Sequence, residues 1–226
     1  MVQVLLLLFL LDNDGWYYNM ASIINADTSN GLKLTSDTSG EIELQSAGTT
    51  IATVDSTGLT MASGKSLTGV ILSGTPVATT SGTSIDFTSI PSNTKRVTLM
   101  FAGVSTNSTG RPLIQLGDSG GIETTGYISK SAYAGSSMAG TNSTAGFIVN
   151  DSGDPAPLVS GTYVFTLLNS STNLWVGSGT LCFENYDIVI NGGGQKTLSG
   201  TLDRVRLTTV SGSDTFDAGS INILYE

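Results

Sequence analysis

Hydrophobic and polar residues alternate along much of this chain, in two different rhythms. Between Leu32 and Met61, short apolar pairs such as Ile42 with Leu44 recur roughly every ten residues, and Gly-containing tripeptides separate them. A period of two predicts strands with one apolar face, and a glycine at each break predicts a tight turn. We therefore predict a repeat-like β segment, a short shaft, over residues 22–72.

Longer alternating runs follow from residue 84 onward. They are SIDF (84–87), RVTLMFAGV (96–104), PLIQLG (112–117), GFIVN (146–150), TYVFTLL (162–168), LWVGSGTLCF (174–183), YDIVI (186–190), QKTLSGTLDRVRLTTV (195–210) and GSINILYE (219–226). Many strands joined by Gly, Ser and Asn turns predict an antiparallel β-sandwich, jelly-roll-like, over residues 84–226. Residues 73–83 read as a linker, so the predicted fold is all-β in two parts.

The shaft segment has too few apolar residues to cover its own apolar face. Isolated hairpins are only marginally stable in water, so a folded segment needs a partner surface. Three parallel copies that meet on a common axis would supply it, which predicts a homotrimer. The alternative is a flexible linker rich in Ser, Thr and Gly.

The apolar run LLLLFLL (5–11) is too short to cross a membrane and stops at Asp12. Residues 1–19 contain no Lys or Arg, unlike the start of a signal peptide. We interpret residues 1–21 as an N-terminal extension, with translation starting naturally at Met20. A packed N-terminal peptide and a signal peptide are the alternatives, and no membrane insertion is expected.

The amino-acid composition narrows the range of functions that the chain can have. The chain has 226 residues, with 9 basic and 18 acidic side chains, no His and one Cys. The net charge of −9 disfavours nucleic acid as a partner. The lack of His removes the commonest catalytic base and metal ligand. Cys182 has no disulfide partner within the chain, and its strand-like surroundings predict a buried apolar role.

Three stretches resemble a known group of proteins. They are GLKLTSDTSGEIELQSAGTTIATVDSTGLTM (31–61), SIDFTSIPSNTKRVTLMFAGVSTNSTGRPLIQLGDSGGIETTGYISKSA (84–132) and SGTLDRVRLTTVSGSDTFDAGSINILYE (199–226). They resemble tail-fibre-like and other virion structural proteins of tailed bacteriophages, especially marine cyanophages.

The resemblance implies a homotrimeric fibre or spike, located on the virion, with a β-rich tip. Its partners would be other virion proteins and a polysaccharide or protein of the host surface. A capsid-surface decoration or fibre protein is the alternative location. The leucine-rich start and the short shaft depart from this group.

The predicted binding residues lie in two places. GYISKSAYAGSSMAGTNSTAG (126–146) is predicted as a long loop that holds Tyr127, Lys130, Tyr133 and Asn142. Loops at the end of a rigid sandwich commonly bind partners, and Tyr with Ser, Gly and Asn suits adaptable recognition. The alternative is a solvated connection. Trp175 is predicted either in the core or as a platform on which a sugar stacks.

No catalytic residue, metal ligand or cofactor site is predicted. NDSGDPAP (150–157) is interpreted as a turn, although Asp151 and Asp154 could be calcium ligands. A glycan-cleaving tailspike would need two carboxylates about 5–10 Å apart. The candidates are Asp86, Asp118, Glu123, Asp151, Asp154, Glu184 and Asp187. No motif singles out a pair, so we predict a protein that is not an enzyme.

Overall fold

A computed structural model describes residues 41–63, 65, 67, 71–150 and 157–226. The chain divides into two compact units, Met1–Ser66 and Leu67–Glu226. The described residues form β-strands and no helix, as predicted. The strands are β1 Ile42–Ser46, β2 Thr49–Asp55, β3 Gly58–Met61, β4 Leu72–Ser73, β5 Val77–Ala78, β6 Ile85–Phe87, β7 Arg96–Thr106, β8 Pro112–Asp118, β9 Gly121–Ile122, β10 Tyr127–Ala134, β11 Met138–Ser143, β12 Phe147–Ile148, β13 Val159–Asn169, β14 Leu174–Phe183, β15 Ile188–Thr197, β16 Arg204–Thr209 and β17 Phe216–Tyr225.

The first unit contains a three-stranded antiparallel sheet in the order β1-β2-β3. Ala47 and Gly48 both have positive φ angles, 50° and 75°, as a two-residue hairpin turn requires. Asp55 forms the second turn by accepting a 2.7 Å hydrogen bond from the Thr57 backbone N–H. The register places six apolar residues on one face of this meander: Ile42, Leu44, Ala52, Val54, Leu59 and Met61.

This meander has the strands and glycine turns predicted for residues 41–61, but a longer repeat-like shaft is not confirmed. The N-terminal extension (1–21) and the first predicted repeat lie outside the described residues.

The second unit is an antiparallel β-sandwich, as predicted. One sheet has nine strands in the order β11-β10-β15-β14-β13-β7-β17-β4, and β5 also pairs with β17. The other has five strands in the order β12-β8-β16-β6, and β9 pairs with β8. Alternate residues of both sheets point inward and form one hydrophobic core, because side chains in a strand alternate between faces.

Aromatic rings fill the middle of this core. Tyr163 and Phe165 of β13 stack with ring centroids 5.0 Å apart, and Phe147 of β12 packs 4.8 Å from Phe165. The rings lie against Gly177 and Gly179 of β14. A Cβ on Gly179 would come within 2.3 Å of Tyr163, so the glycine makes room for the ring.

Three predicted segments differ from the structure. The run predicted as a single strand over 195–210 is two strands in opposite sheets, β15 and β16. The connection between them buries Leu198 and Leu202, which had looked like positions of one continuous strand. The predicted linker 73–83 contributes to the sheet edge through β4 and β5, and Pro76 separates these short strands because it has no N–H to donate.

The segment 126–146 is a β-hairpin, β10–β11, and the prediction of a loop was wrong. The strand lacked a visible apolar alternation because two of its inward positions are serines. Ser129 accepts a 2.9 Å hydrogen bond from the Ile148 N–H, and Ser131 donates one of 2.9 Å to the Val149 carbonyl. Both hydroxyls are satisfied by backbone groups, so they are stable in the interior.

Cys182 was predicted to be buried, but it is exposed. It lies on β14 between the buried residues Leu181 and Phe183, and strand alternation therefore turns it to the outer face. The described part of the chain has no helix long and apolar enough to span a membrane.

Candidate functional site

The five residues predicted for binding are divided between the interior and the surface. Trp175 and Tyr127 are each only 2% exposed, and Tyr133 packs partly against the core. Burial removes Trp175 and Tyr127 as surface platforms, because a stacking sugar needs an accessible ring face. Lys130 and Asn142 point outward and lie directly opposite each other on β10 and β11.

Lys130 and Asn142 border a shallow groove on the outer face of the nine-stranded sheet. The groove has a volume of about 770 Å³. Three consecutive residues from each of β10, β11 and β15 line it: Lys130, Ser131, Ala132, Gly140, Thr141, Asn142, Asn191, Gly192 and Gly193. We call it the β10 groove.

The β10 groove exists because small residues occupy its centre. Lys130 pairs in register with Gly193, and Ala132 pairs with both Gly140 and Asn191. Gly140, Gly193 and Ala132 carry no side chain beyond Cβ, so the backbone forms the floor. The longer side chains stand around this floor as a rim.

The rim of the groove is rich in hydrogen-bond donors. Thr180 of β14 donates a 3.1 Å hydrogen bond to Asn191 Oδ1, which orients the Asn191 amide. The amide N–H groups of Asn191 are then donors at the groove, and Asn142 adds a second amide to its lining. Lys130 is the single charged residue among the nine that line it, and none of the described carboxylates lies within 4 Å of its ammonium group.

Tyr127 has a structural role instead of the predicted binding role. Its hydroxyl accepts a 2.8 Å hydrogen bond from the Leu116 N–H and donates to the carbonyl of Glu123 at 2.8 Å or of Leu116 at 3.1 Å. Burial raises the pKa of this hydroxyl, with a smaller contribution from the nearby Glu123 carboxylate. The ring therefore fastens β10 to β8.

A second polar cluster lies next to Tyr127, and we call it the Ser199 clasp. Ser199 Oγ is 2.6 Å from Asp118 Oδ2 and 2.9 Å from Glu123 Oε1. Lys196 pairs with Glu123 at 2.5 Å, and its ammonium lies 5.1 Å from the centroid of the Tyr127 ring. The clasp joins β15 and the residues just after it to the two ends of the β8–β9 hairpin, Asp118 in β8 and Glu123 after β9.

Hydrogen bonds in the clasp favour the ionised form of both carboxylates. The hydrogen bond from Ser199 lowers the pKa of Asp118, helped by the Gly120 N–H. Burial works to raise the pKa of Glu123, but hydrogen bonds from Lys196 and Ser199 outweigh it and the net pKa is lowered. A glycosidase of the two-carboxylate type needs one carboxyl whose pKa is raised, whereas the pKa values of Asp118 and Glu123 are both lowered.

Two of the other predicted carboxylates have hydrogen-bond partners in the described part of the chain. Asp86 makes a two-bond ion pair with Arg206, each bond 2.7 Å long, which joins β6 to β16. Glu184 accepts a short hydrogen bond from Ser160. Asp151 and Asp154 lie outside the described residues, and no cluster of three metal-ligating side chains occurs in the part of the chain that is described.

Sequence reasoning missed Asn191 and the glycines of β15 as parts of the site. INGGGQ (190–195) carried the signal, because consecutive glycines within a strand often mark a close approach of another backbone or a ligand. No family model matches the chain, and no curated protein or solved structure is significantly similar to it.

Proposed function

We propose that this protein is a non-enzymatic structural protein of a bacteriophage virion. It acts as a trimeric tail-fibre or spike-like module that attaches to the host surface. The sandwich is the tip of this module, and the meander of β1–β3 belongs to the segment that associates with two further copies. Other virion proteins and a host polysaccharide or protein are its partners.

The pairing of two distant sequence blocks carries this proposal. The blocks that resemble phage virion proteins, residues 84–132 and 199–226, supply strands that are hydrogen-bonded neighbours. β17 pairs with β7 in one sheet, and β16 pairs with β6 and β8 in the other. Both blocks therefore belong to one folded domain, as the proposed tip requires.

The proposal is tested on virus particles from the source of the sequence. Purified virions are analysed by mass spectrometry for this chain, and a gold-labelled antibody against the sandwich locates it by electron microscopy. Label on tails or tail spikes is the expected result. Absence of the chain from purified particles contradicts the proposal.

The same experiment separates the two virion locations. Gold distributed over the capsid, with none on the tail, favours the capsid-surface decoration or fibre protein. The alternative of another class, a glycan-degrading tailspike, predicts release of reducing sugar from host polysaccharide. We expect no such release.

A further inference from the structure

We propose that the β10 groove is the attachment site for an acidic glycan, a polysaccharide that carries carboxylate groups. The inference rests on the proposed attachment function and adds to it the site and the chemical class of the ligand.

Charge complementarity points to an anionic ligand. The chain's net charge of −9 works against an anionic ligand, so the attraction must come from the local charge at the groove, which is positive. Most of the other described cations of the second unit already have an acidic partner: Arg96 pairs with Glu226, Lys196 with Glu123, Arg204 with Asp203 and Arg206 with Asp86. Lys130 has no carboxylate partner within the described residues and stands at the rim of the groove. A ligand carboxylate there would form a charge-assisted hydrogen bond with the ammonium group.

The remaining rim groups suit a hydroxyl-rich chain. Asn142 and Asn191 present amides, which both donate and accept hydrogen bonds, and sugar hydroxyls do the same. The floor of Ala132, Gly140 and Gly193 carries no bulky side chain, so a sugar ring can approach the backbone closely. A peptide ligand typically inserts anchor side chains into deep apolar pockets, and the nine lining residues form no such pocket. The groove therefore suits a sugar chain better than a peptide.

The side chains of Tyr127 and Trp175 point inward, which favours a ligand held by charge over one held by ring stacking. Neutral sugars are commonly held by stacking on exposed rings, but Tyr127 and Trp175 are buried. No Phe, Tyr or Trp is among the residues that line the groove. Within the groove itself, Lys130 and the two amides are therefore the main side-chain donors, which predicts weak affinity per site and strong dependence on salt. A smaller apolar hollow lined by Tyr133 and Met138 adjoins the groove at Ala132 and Asn191.

The test measures binding of the full chain to immobilised polysaccharides. Alginate, a polyuronate, is the acidic probe and dextran is the neutral one. Four variants are compared with the unsubstituted protein: Lys130→Ala, Ala132→Glu, Ala132→Gln and Lys95→Ala. Ala132→Glu places a negative charge in the groove, and Ala132→Gln has nearly the same shape without the charge. Lys95 is an exposed lysine outside the groove.

We expect binding to alginate but not to dextran. Lys130→Ala should weaken it about tenfold, the usual effect of losing a hydrogen bond to a charged group. Both Ala132 variants fill the floor and should weaken binding, but Ala132→Glu should weaken it about tenfold more than Ala132→Gln, because only the glutamate repels a ligand carboxylate. Lys95→Ala should stay within about twofold, because Lys95 lies outside the groove. Raising NaCl from about 0.05 to 0.5 M should abolish binding of the unsubstituted protein. Equal urea midpoints for all variants would confirm that the fold is intact.

Several results would overturn the inference. They are equal binding to dextran, no binding to alginate, or equal losses for Ala132→Gln and Ala132→Glu. A change in solution mass on Lys130→Ala would also overturn it, because the groove would then be an interface between copies.

Attachment to host cells is measured in parallel. If the groove variants attach normally, the groove inference fails and the attachment function stands. If the unsubstituted protein neither attaches to cells nor occurs in virions, the proposed function itself fails.

Discussion

Tyr127 and Tyr163 form a matched pair of buried tyrosines that differ in how their hydroxyls are satisfied. The Tyr127 hydroxyl contacts the Leu116 N–H at 2.8 Å, whereas no described group lies within hydrogen-bonding distance of the Tyr163 hydroxyl. Burial raises the pKa of both hydroxyls, so both stay neutral. The energetic cost of removing each hydroxyl should therefore reflect its hydrogen bonds alone.

We expect Tyr127→Phe to lower the free energy of unfolding by about 1–3 kcal/mol, because it leaves the buried Leu116 N–H without an acceptor. Tyr163→Phe should be neutral or slightly stabilising, since it removes an unsatisfied polar atom from the core. Urea unfolding of both variants measures the difference. Equal losses would mean that the Tyr163 hydroxyl has a partner.

Gly179 is another position where adding a single atom should change stability, in this case through core packing. A Cβ there would lie 2.3 Å from Tyr163 Cδ2, whereas a Cβ on Gly192 would approach the same ring no closer than 3.4 Å. We expect Gly179→Ala to destabilise the fold by about 1–3 kcal/mol through overpacking. Gly192→Ala is the control and should change stability by less than about 1 kcal/mol. Thermal and urea unfolding test this, and equal effects would contradict the packing argument.

At the scale of elements, we expect the Ser199 clasp to make the link between β15 and the β8–β9 hairpin sensitive to acid. The folded-state pKa values of Asp118 and Glu123 are lowered, so the unfolded chain takes up protons at a higher pH than the folded chain. The stability from these groups is present above the ordinary carboxylate pKa of about 4. It is lost as the pH falls through the lowered folded values.

Glu123→Gln tests this clasp. We expect a loss of about 1–2 kcal/mol at pH 7, because Lys196, whose side chain is 6% exposed, loses its ionic partner. The variant should also lose less stability than the unsubstituted protein between about pH 5 and 3. Asp217→Asn, at an exposed carboxylate of β17, is the control. An unchanged pH slope for Glu123→Gln would show that the clasp does not determine acid stability.

The same elements show how far sequence reasoning reaches. β7, β8 and β14 were predicted within two residues of their ends, because their inward positions are apolar and their turns carry Gly or Asn. β10 was missed because Ser129 and Ser131 point inward and are satisfied by backbone groups that only the tertiary structure brings near.

For the site, sequence reasoning named Lys130 and Asn142 but placed them in a loop. It missed Asn191, although INGGGQ (190–195) carried a signal, because only the tertiary pairing of β15 with β10 places Asn191 at the groove.

At the scale of the whole molecule, the meander of β1–β3 carries an apolar face that its own chain covers only in part. Leu44 and Leu59 are 47% and 50% exposed, although the register aligns them with Ala52 and Val54 on the same face. Exposed apolar residues in one contiguous group typically mark an interaction surface. Association of three copies through this face is the arrangement that the proposed fibre requires.

Light scattering of the purified chain measures this association. We expect a solution mass near three times the 23.3 kDa chain mass, and a shift toward the monomer for the double variant Leu44→Ser with Leu59→Ser. Thr60→Ala, which changes the opposite face, should leave the mass unchanged. Loss of the trimer should also weaken attachment to a surface by roughly a hundredfold or more, because three linked grooves bind with avidity. A stable monomer of the unsubstituted chain would instead make the sandwich a binding module that acts alone, with each weak groove engaging its ligand singly.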